Sequence, residues 1–487
     1  GLPDPVLAAL GPGPLPAAPA ARLALLEACL KAQRANMIER FEPYRELVAV
    51  AEPLARLERI DYVSDGFLVD VAVWYHLAWL GESVRIADAR VAALMQRKNH
   101  FTAADRRTLL TLVGETLNGI VPRYRALAER GQCELAVSPY SHPILPLLYD
   151  FKVARESAPA SPLPKHAAYP GGAARAAWQM EEALRVFERH FGRRPRGCWP
   201  AEGAVSAEVL ELIDRSGFDW VATSANVLRA SLALAGELDA NGGSAAHFDR
   251  AYRIPGQKLR CFFRDDNLSD LIGFSYASWH GDDAARNLAH ELGQLADRYA
   301  GEPGRCVLIA LDGENAWEHY PFNGFYFLRA MYAALAEHPQ LELTTLSELT
   351  ARGLEPLPLG RVVAGSWVHG TLATWIGEPS KNAGWDLLCE AKLAYDRALA
   401  AHAPAAPLRE RLERQLALCE SSDWFWWFGD YNPADAVASF DRLYRRQLTT
   451  LYRMLELEPP ESLSHPVSVA GHGAPERGGV MRRAYAE

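Results

Sequence analysis

Between residues 131 and 345 short apolar runs alternate with helix-length amphipathic stretches, and few folds accept that order. The runs lie at 133–137, 197–199, 220–223, 259–263, 306–311 and 341–345. Between them, 173–190 carries Met180, Leu184 and Phe187 on one helical face, and 324–335 forms a second such helix. Strands separated by helices are joined by crossovers, so neighbouring strands run parallel. A barrel is one way to close such a sheet, and its chemistry then sits just past the C-terminal strand ends. The flanks read as helical: 21–130 through spacings such as Leu23, Leu26 and Leu30, and the region after about residue 365 through 386–399, 407–418 and 434–455.

Composition narrows what such a fold can do. A net charge of −9 without a Lys/Arg run argues against nucleic acid. No stretch reaches the roughly 20 apolar residues a membrane helix needs. Seven cysteines without a C-x-x-C fit a reduced, cytoplasmic setting better than a disulfide framework. The first 20 residues hold six prolines and no basic residue, unlike a signal peptide, and the natural chain is expected to start upstream of Gly1. The last 25 or so residues, rich in Gly and Pro, read as a tail. None of the fourteen histidines forms an H-x-x-x-H pair, so no metal is expected. Walker, G-x-S-x-G and G-x-G-x-x-G patterns are absent too, and no cofactor is expected. Carboxylate chemistry remains.

Two acids fall at strand ends. Glu202 stands in Gly197-Cys198-Trp199-Pro200-Ala201-Glu202-Gly203, where the plain alternative is an acid at a helix start. Asp312 opens Asp312-Gly313-Glu314-Asn315-Ala316-Trp317-Glu318-His319-Tyr320, too dense in acids and aromatics for an ordinary solvated loop. Glycoside hydrolysis needs such a pair: one carboxylate attacks the anomeric carbon or activates water, and the other protonates the leaving oxygen. His142, in Ser138-Pro139-Tyr140-Ser141-His142-Pro143, and Arg264 with Asp270, in Arg264-Asp265-Asp266-Asn267-Leu268-Ser269-Asp270, are further polar candidates that also read as capped turns. Trp424, Trp426 and Trp427 form a cluster whose indole faces suit sugar rings as well as a core.

Together these strings resemble glycoside hydrolase family 57, in particular its amylopullulanase-like and α-amylase-like branch. The resemblance rests on six blocks in the family's order: 131–147, 197–206, 263–274, 311–320, 365–388 and 421–432. It implies an α/β fold, an incomplete (β/α)7 barrel with a helical insertion and a C-terminal helical domain. Residues 1–130 would be the insertion, 131–360 the catalytic barrel, 361–462 the helical domain and 463–487 a flexible tail. It implies a retaining mechanism without metal, with Glu202 as nucleophile and Asp312 as general acid/base. Substrate contacts are then expected from Glu134, His142, Trp199, Arg264, Asp270, Glu314, Trp317, Trp367, Trp375, Asp423, Trp426 and Trp427, with Asp386 in the same cleft-lining stretch as Trp367. One departure is the family's first strand, which ends in His-Gln-Pro: that tripeptide occurs nowhere in this sequence.

The expected activity is cleavage of α-glucosidic bonds by double displacement, with an α-glucan oligosaccharide or polysaccharide as the partner. A sugar hydroxyl in place of water would make the same pair a 4-α-glucanotransferase or branching enzyme. A metal-dependent polysaccharide deacetylase uses a related barrel but lacks its His pair here. A non-catalytic glucan-binding protein is the reading from outside enzymology. Linkage preference, chain length and oligomeric state are not legible in the sequence.

Overall fold

The computed structural model describes residues 4–237, 248–313, 317–468 and 471. Strands and helices alternate as the apolar runs require. Strand β1 (Gly197–Cys198) pairs in parallel with β2 (Trp220–Ser224), and β2 pairs in parallel with β4 (Arg260–Arg264) over five residues, Trp220↔Arg260 to Ser224↔Arg264. Single parallel bridges extend this sheet on both sides, Val137↔Cys198 before β1 and Arg264↔Leu308 beyond β4. Read across the sheet, the parallel positions therefore follow chain order, as right-handed βα crossovers produce. All five side chains of β2 are buried, which explains its continuous apolar run: each face packs on helices rather than on water.

Among the described residues the barrel is not closed. Beside β4 the antiparallel strand β3 (Tyr252–Arg253) occupies the position next to Cys261, and β3 in turn pairs with β5 (Leu357–Pro358). The expected strand 306–311 consequently touches the sheet at Leu308, while Ile309 and Leu311 turn toward the helices Gly281–Arg298 and Phe325–Glu337. The expected strand 341–345 does not form: Leu343 is exposed, and Thr345 instead caps the helix Leu346–Ala351. The run 133–137 likewise contributes one bridge, at Val137. That edge borders an apolar groove of about 260 Å³ lined by Val121, Val137, Tyr140, Phe187 and Phe191.

On the N-terminal side the chain is helical, as its spacing predicts. Helices Pro19–Cys29, Glu42–Arg56, Asp65–Trp79, Ala89–Arg97 and Ala103–Glu129 bury Leu26, Tyr44, Val48, Val73, Trp74 and Leu109. Buried Asp70 accepts from the backbone N–H groups of His100 and Phe101, both at 2.9 Å, and so fixes the turn into the last of these helices. The helix Gly172–Phe191 buries Met180, Leu184 and Phe187, the face read from the sequence.

Helices Pro379–Ala401, Ala406–Cys419, Ser422–Trp427 and Ala434–Met454 follow the sheet and share its apolar core: Val209, Ile213 and Val221 belong to one cluster with Trp385, Leu388, Phe425 and Tyr444. Trp385 and Phe425 stack face to face, 4.0 Å apart. A buried polar junction pins this layer to the helix Gly172–Phe191. The Glu420 carboxylate accepts from Arg175 Nε (2.7 Å), Arg175 Nη2 (3.0 Å), Gln179 Nε2 (2.7 Å) and the Tyr169 hydroxyl (2.7 Å). Among the described residues no helix is long and apolar enough to cross a membrane. Of the expected tail, residues 469, 470 and 472–487 lie outside the described residues.

The junction sets a test of stability. Glu420→Ala leaves Arg175 buried with Glu413 as its remaining carboxylate. We expect a loss of about 3 kcal/mol, the usual effect of breaking a buried pair from one side. An unchanged urea midpoint would show that apolar packing alone joins the two layers.

Candidate active site

Cys198 ends β1, and Pro200 two residues later stops the strand from continuing. The chain turns at 201–203, with Glu202 at φ 57°, ψ 22° and Gly203 at φ 59°. Glycine adopts that left-handed conformation freely, whereas for a side-chain-bearing residue it costs on the order of 1–2 kcal/mol. Neighbouring bonds hold it in place. Thr223 Oγ1, from β2, donates to the Gly203 carbonyl at 2.5 Å. Val205 and Gly365 exchange backbone hydrogen bonds at 2.9 and 3.1 Å, and the Trp367 N–H donates to the Glu202 carbonyl at 3.0 Å. The same Trp367 donates its indole Nε1–H to Glu202 Oε2 at 2.8 Å. Backbone and carboxylate of Glu202 are thus fixed by one residue, whose ring meets Trp199 edge-on at 5.3 Å.

Arg264 connects this turn to the second acid. It is the last residue of β4, is buried, and lies 5.0 Å from the centroid of the Trp367 ring. Its Nε donates to Asp266 (2.7 Å) and its Nη2 to Asp270 (2.8 Å). Burial raises the Asp266 carboxyl above the usual carboxylate range, with the Arg264 charge opposing. The Arg264 Nη1 donates to the Ala310 carbonyl at 3.0 Å, and the Ala310 N–H donates to buried Ser269 Oγ at 3.2 Å. Asp312, half-buried, follows two residues later, just past the Leu308 bridge. Glu202, Trp199, Trp367, Arg264, Asp270 and the strand end that carries Asp312 therefore share the C-terminal edge of the sheet. Ser269 and Asp266 belong to this set but were not legible as site residues. Serine within an acidic turn reads as a cap.

The remaining candidates divide. Trp317 is half-buried and packs against Tyr320 at 5.4 Å and against Gly324, where an added Cβ would meet its ring at 2.6 Å. Glu314 lies outside the described residues. His142, at φ 59°, meets Ser422 Oγ through Nδ1 at 2.8 Å and accepts the Ser422 N–H on its carbonyl, tying the loop after Val137 to the helix Ser422–Trp427. Asp423 is exposed and accepts from Ser421 Oγ at 3.2 Å. Trp426 and Trp427 are half-buried and 4.9 Å apart, and one face of Trp427 is stacked on Phe440.

Three expected cleft residues are placed elsewhere. Trp375 is wholly buried in the core, so neither ring face can meet a sugar. Glu134 accepts from Trp220 Nε1 at 2.9 Å, from the Ser347 N–H at 3.0 Å and from the Ser347 hydroxyl. Trp220 begins β2, so this carboxylate braces the N-terminal edge of the sheet, opposite Glu202. Asp386 is buried and accepts the backbone N–H groups of Lys165 and His166, closing a loop rather than lining a cleft.

Residues 38–357 match the model of glycosyl hydrolase family 57. The chain belongs to glycosyl hydrolase family 57. Its fold is also that of solved structures at 15% identity. A branching enzyme from the hyperthermophilic archaeon Thermococcus kodakaraensis matches with a TM-score of 0.59 over 89% of this chain and 86% of that one. A branching enzyme from Pyrococcus horikoshii gives 0.54 over 92% and 94%, and the α-amylase AmyC from Thermotoga maritima 0.52 over 89% and 88%. Identity this low carries the fold and no more.

For this family 57 member the Trp367 indole N–H can be tested by itself. Trp367→Phe keeps an aromatic ring and removes the donor to Glu202. A hydrogen bond to a charged group contributes about 1.5–3 kcal/mol, so kcat/KM should fall roughly 10- to 100-fold with little change in Tm. A wild-type kcat/KM would show that the carboxylate does not depend on this donor.

Proposed function

We propose that the chain is a retaining α-glucan-active glycoside hydrolase of the amylase or amylopullulanase type. The observation that carries this reading is the tethered Glu202 at the C-terminal end of β1, joined through Trp367 and Arg264 to the strand end that presents Asp312. Glu202 attacks C1 of the sugar while Asp312 protonates the departing glucan oxygen. In the second step Asp312 removes a proton from the incoming acceptor, which then displaces Glu202. Fixing the attacking carboxylate before the sugar arrives removes part of the orientational entropy of the step. Arg264, Asp270, Trp199, Trp317 and Trp367 would contact the sugars beside the bond cleaved. His142, Asp423, Trp426 and Trp427 would extend the glucan path onto the helical layer, with the indoles as platforms.

Within this reading residues 1–130 form a helical insertion, 131–360 the catalytic unit and 361–462 a helical domain that shapes the cleft. All seven cysteines are free thiols, which supports a reducing, cytoplasmic setting. The same carboxylate pair would transfer glucan to a sugar hydroxyl, as a 4-α-glucanotransferase or branching enzyme does, wherever that hydroxyl outcompetes water.

The test is the product profile from maltoheptaose. Hydrolysis gives shorter products alone, with the newly formed reducing end released as the α-anomer, whereas transfer gives longer chains as well. Glu202→Gln should lower turnover by roughly three orders of magnitude or more, since a neutral amide is a far weaker nucleophile than a carboxylate. Retention of wild-type rates in Glu202→Gln would remove the assignment. Glucan binding with no product from the wild type would favour the non-catalytic reading.

A further inference from the structure

The N-terminal helices make specific contacts with the stretch that follows Asp312. Beyond Asp312 the chain reaches Trp317–Tyr320 and then the short turn Pro321–Gly324, where Phe322 (φ 56°), Asn323 (φ 54°) and Gly324 (φ 72°) are left-handed in succession. Two consecutive side-chain-bearing residues do not hold that conformation unaided. Three side chains from the N-terminal helices grip this stretch. Asn36 lies in a π-helical turn, Arg34–Ile38, where its backbone N–H donates to the Gln33 side chain at 2.6 Å, and its Nδ2 donates to the carbonyls of Glu318 (3.2 Å) and His319 (2.8 Å). The Arg40 guanidinium stands 4.3 Å over the Phe322 ring. Arg85 donates through Nη2 to the Asn323 side-chain oxygen.

These cations are not free to drift. Arg40 donates to both oxygens of buried Glu82, at 3.0 and 2.9 Å, and Arg85 Nε donates to the same carboxylate at 2.9 Å. Arg85 is itself buried, and its Nη1 donates to the carbonyls of Leu77, Ala78 and Leu80 at the end of the helix Asp65–Trp79. The guanidinium that reaches Asn323 is therefore built into the helical core. A single pair of helical side chains at a domain boundary would be unremarkable as packing. Three side chains converging on backbone carbonyls, a ring and an amide of residues 318–323 are a positioning device.

We propose that this latch sets the position of Asp312, and that Asn36 is a positioning residue for acid catalysis. Described residues on both sides of Asp312 are held: Ala310 by Ser269 and Arg264, and residues 318–323 by Asn36, Arg40 and Arg85. Glu202 is tethered through Trp367. Loosening the latch should therefore impair proton donation and leave nucleophilic attack intact. The inference rests on the reading of Asp312 as general acid/base.

The experiment compares two substrates whose leaving groups differ in their need for a proton. Maltoheptaose expels an alkoxide that must be protonated, and α-maltosyl fluoride expels fluoride, which departs without an acid. The value of kcat/KM reports the first, glycosylating step for both. Asn36→Ala and the near-isosteric Asn36→Asp should each lower kcat/KM on maltoheptaose about 10-fold or more, since small displacements of a catalytic group have effects of this size. On α-maltosyl fluoride both should stay within about twofold of wild type, by the same argument. Asn323→Gly, which accepts the left-handed turn but lacks the acceptor for Arg85, should show the same selectivity. Equal loss on both substrates, or no loss on either, would overturn the latch. Asp312→Ala is the control: selective loss on maltoheptaose upholds the reading of Asp312, whereas equal loss would overturn that reading and the latch with it.

Discussion

Trp367 bonds twice to a residue 165 positions earlier: its backbone N–H meets the Glu202 carbonyl and its indole N–H the Glu202 carboxylate. Neither bond is strong by itself, since a hydrogen bond to a charged group contributes about 1.5–3 kcal/mol and a neutral one less. Together they decide how a strained turn ends. Glu202 sits in the left-handed region, where a longer side chain is disfavoured, and the tether makes that conformation the one in which both groups are satisfied. The rest of the site follows. The Trp367 ring supplies the surface over which Arg264 lies, and Arg264 grips the strand end ahead of Asp312. Loss of the 365–367 segment would therefore disturb the position of both acids, though it contains neither.

The open sheet makes these side-chain links more important. In a closed barrel, neighbouring strands would hold the C-terminal ends in register. Here β3 occupies the flank of β4, and among the described residues the Asp312 strand touches the sheet at a single bridge. Arg264 and Ser269 on one side, and the N-terminal helices on the other, take over the fixing that a backbone ladder would otherwise provide. This assigns the N-terminal helices a part in the geometry of the site. It also explains why Glu82 and Arg85 are charged yet buried: they are paired with each other, with Arg40 and with carbonyls at a helix end, so that neither charge is left without compensation.

Local pattern revealed the strands and helices where burial and period coincide. The run at 220–223 became β2 because all its residues are buried, and the face of Met180, Leu184 and Phe187 packs inward as read. It failed at 341–345, where Leu341 and Leu343 alternate with Glu342 and Thr344 as in a strand but Leu343 faces solvent. The same limit governs the site. Glu202 and Asp312 were legible because each follows an apolar run and so falls at a strand end. Trp375 and Glu134 were expected in the cleft, yet an indole fits a core as well as a sugar, and an acid after a cysteine can cap either end of a strand. Sequence cannot say which edge of the sheet such a residue meets. The latch was invisible for a simpler reason: Asn36 and His319 lie 283 residues apart, and Asn36 belongs to no motif.

The central claim is that Glu202 is the group that attacks the sugar. Trapping measures this directly. A 5-fluoro-α-glucosyl fluoride forms its glycosyl–enzyme ester readily but releases it slowly, so the labelled peptide can be located by mass spectrometry after digestion. The account predicts one adduct per chain, on the peptide that contains Glu202, and none in Glu202→Gln. An adduct on another carboxylate, or turnover of the reagent without any adduct and with inversion at the anomeric carbon, would contradict it.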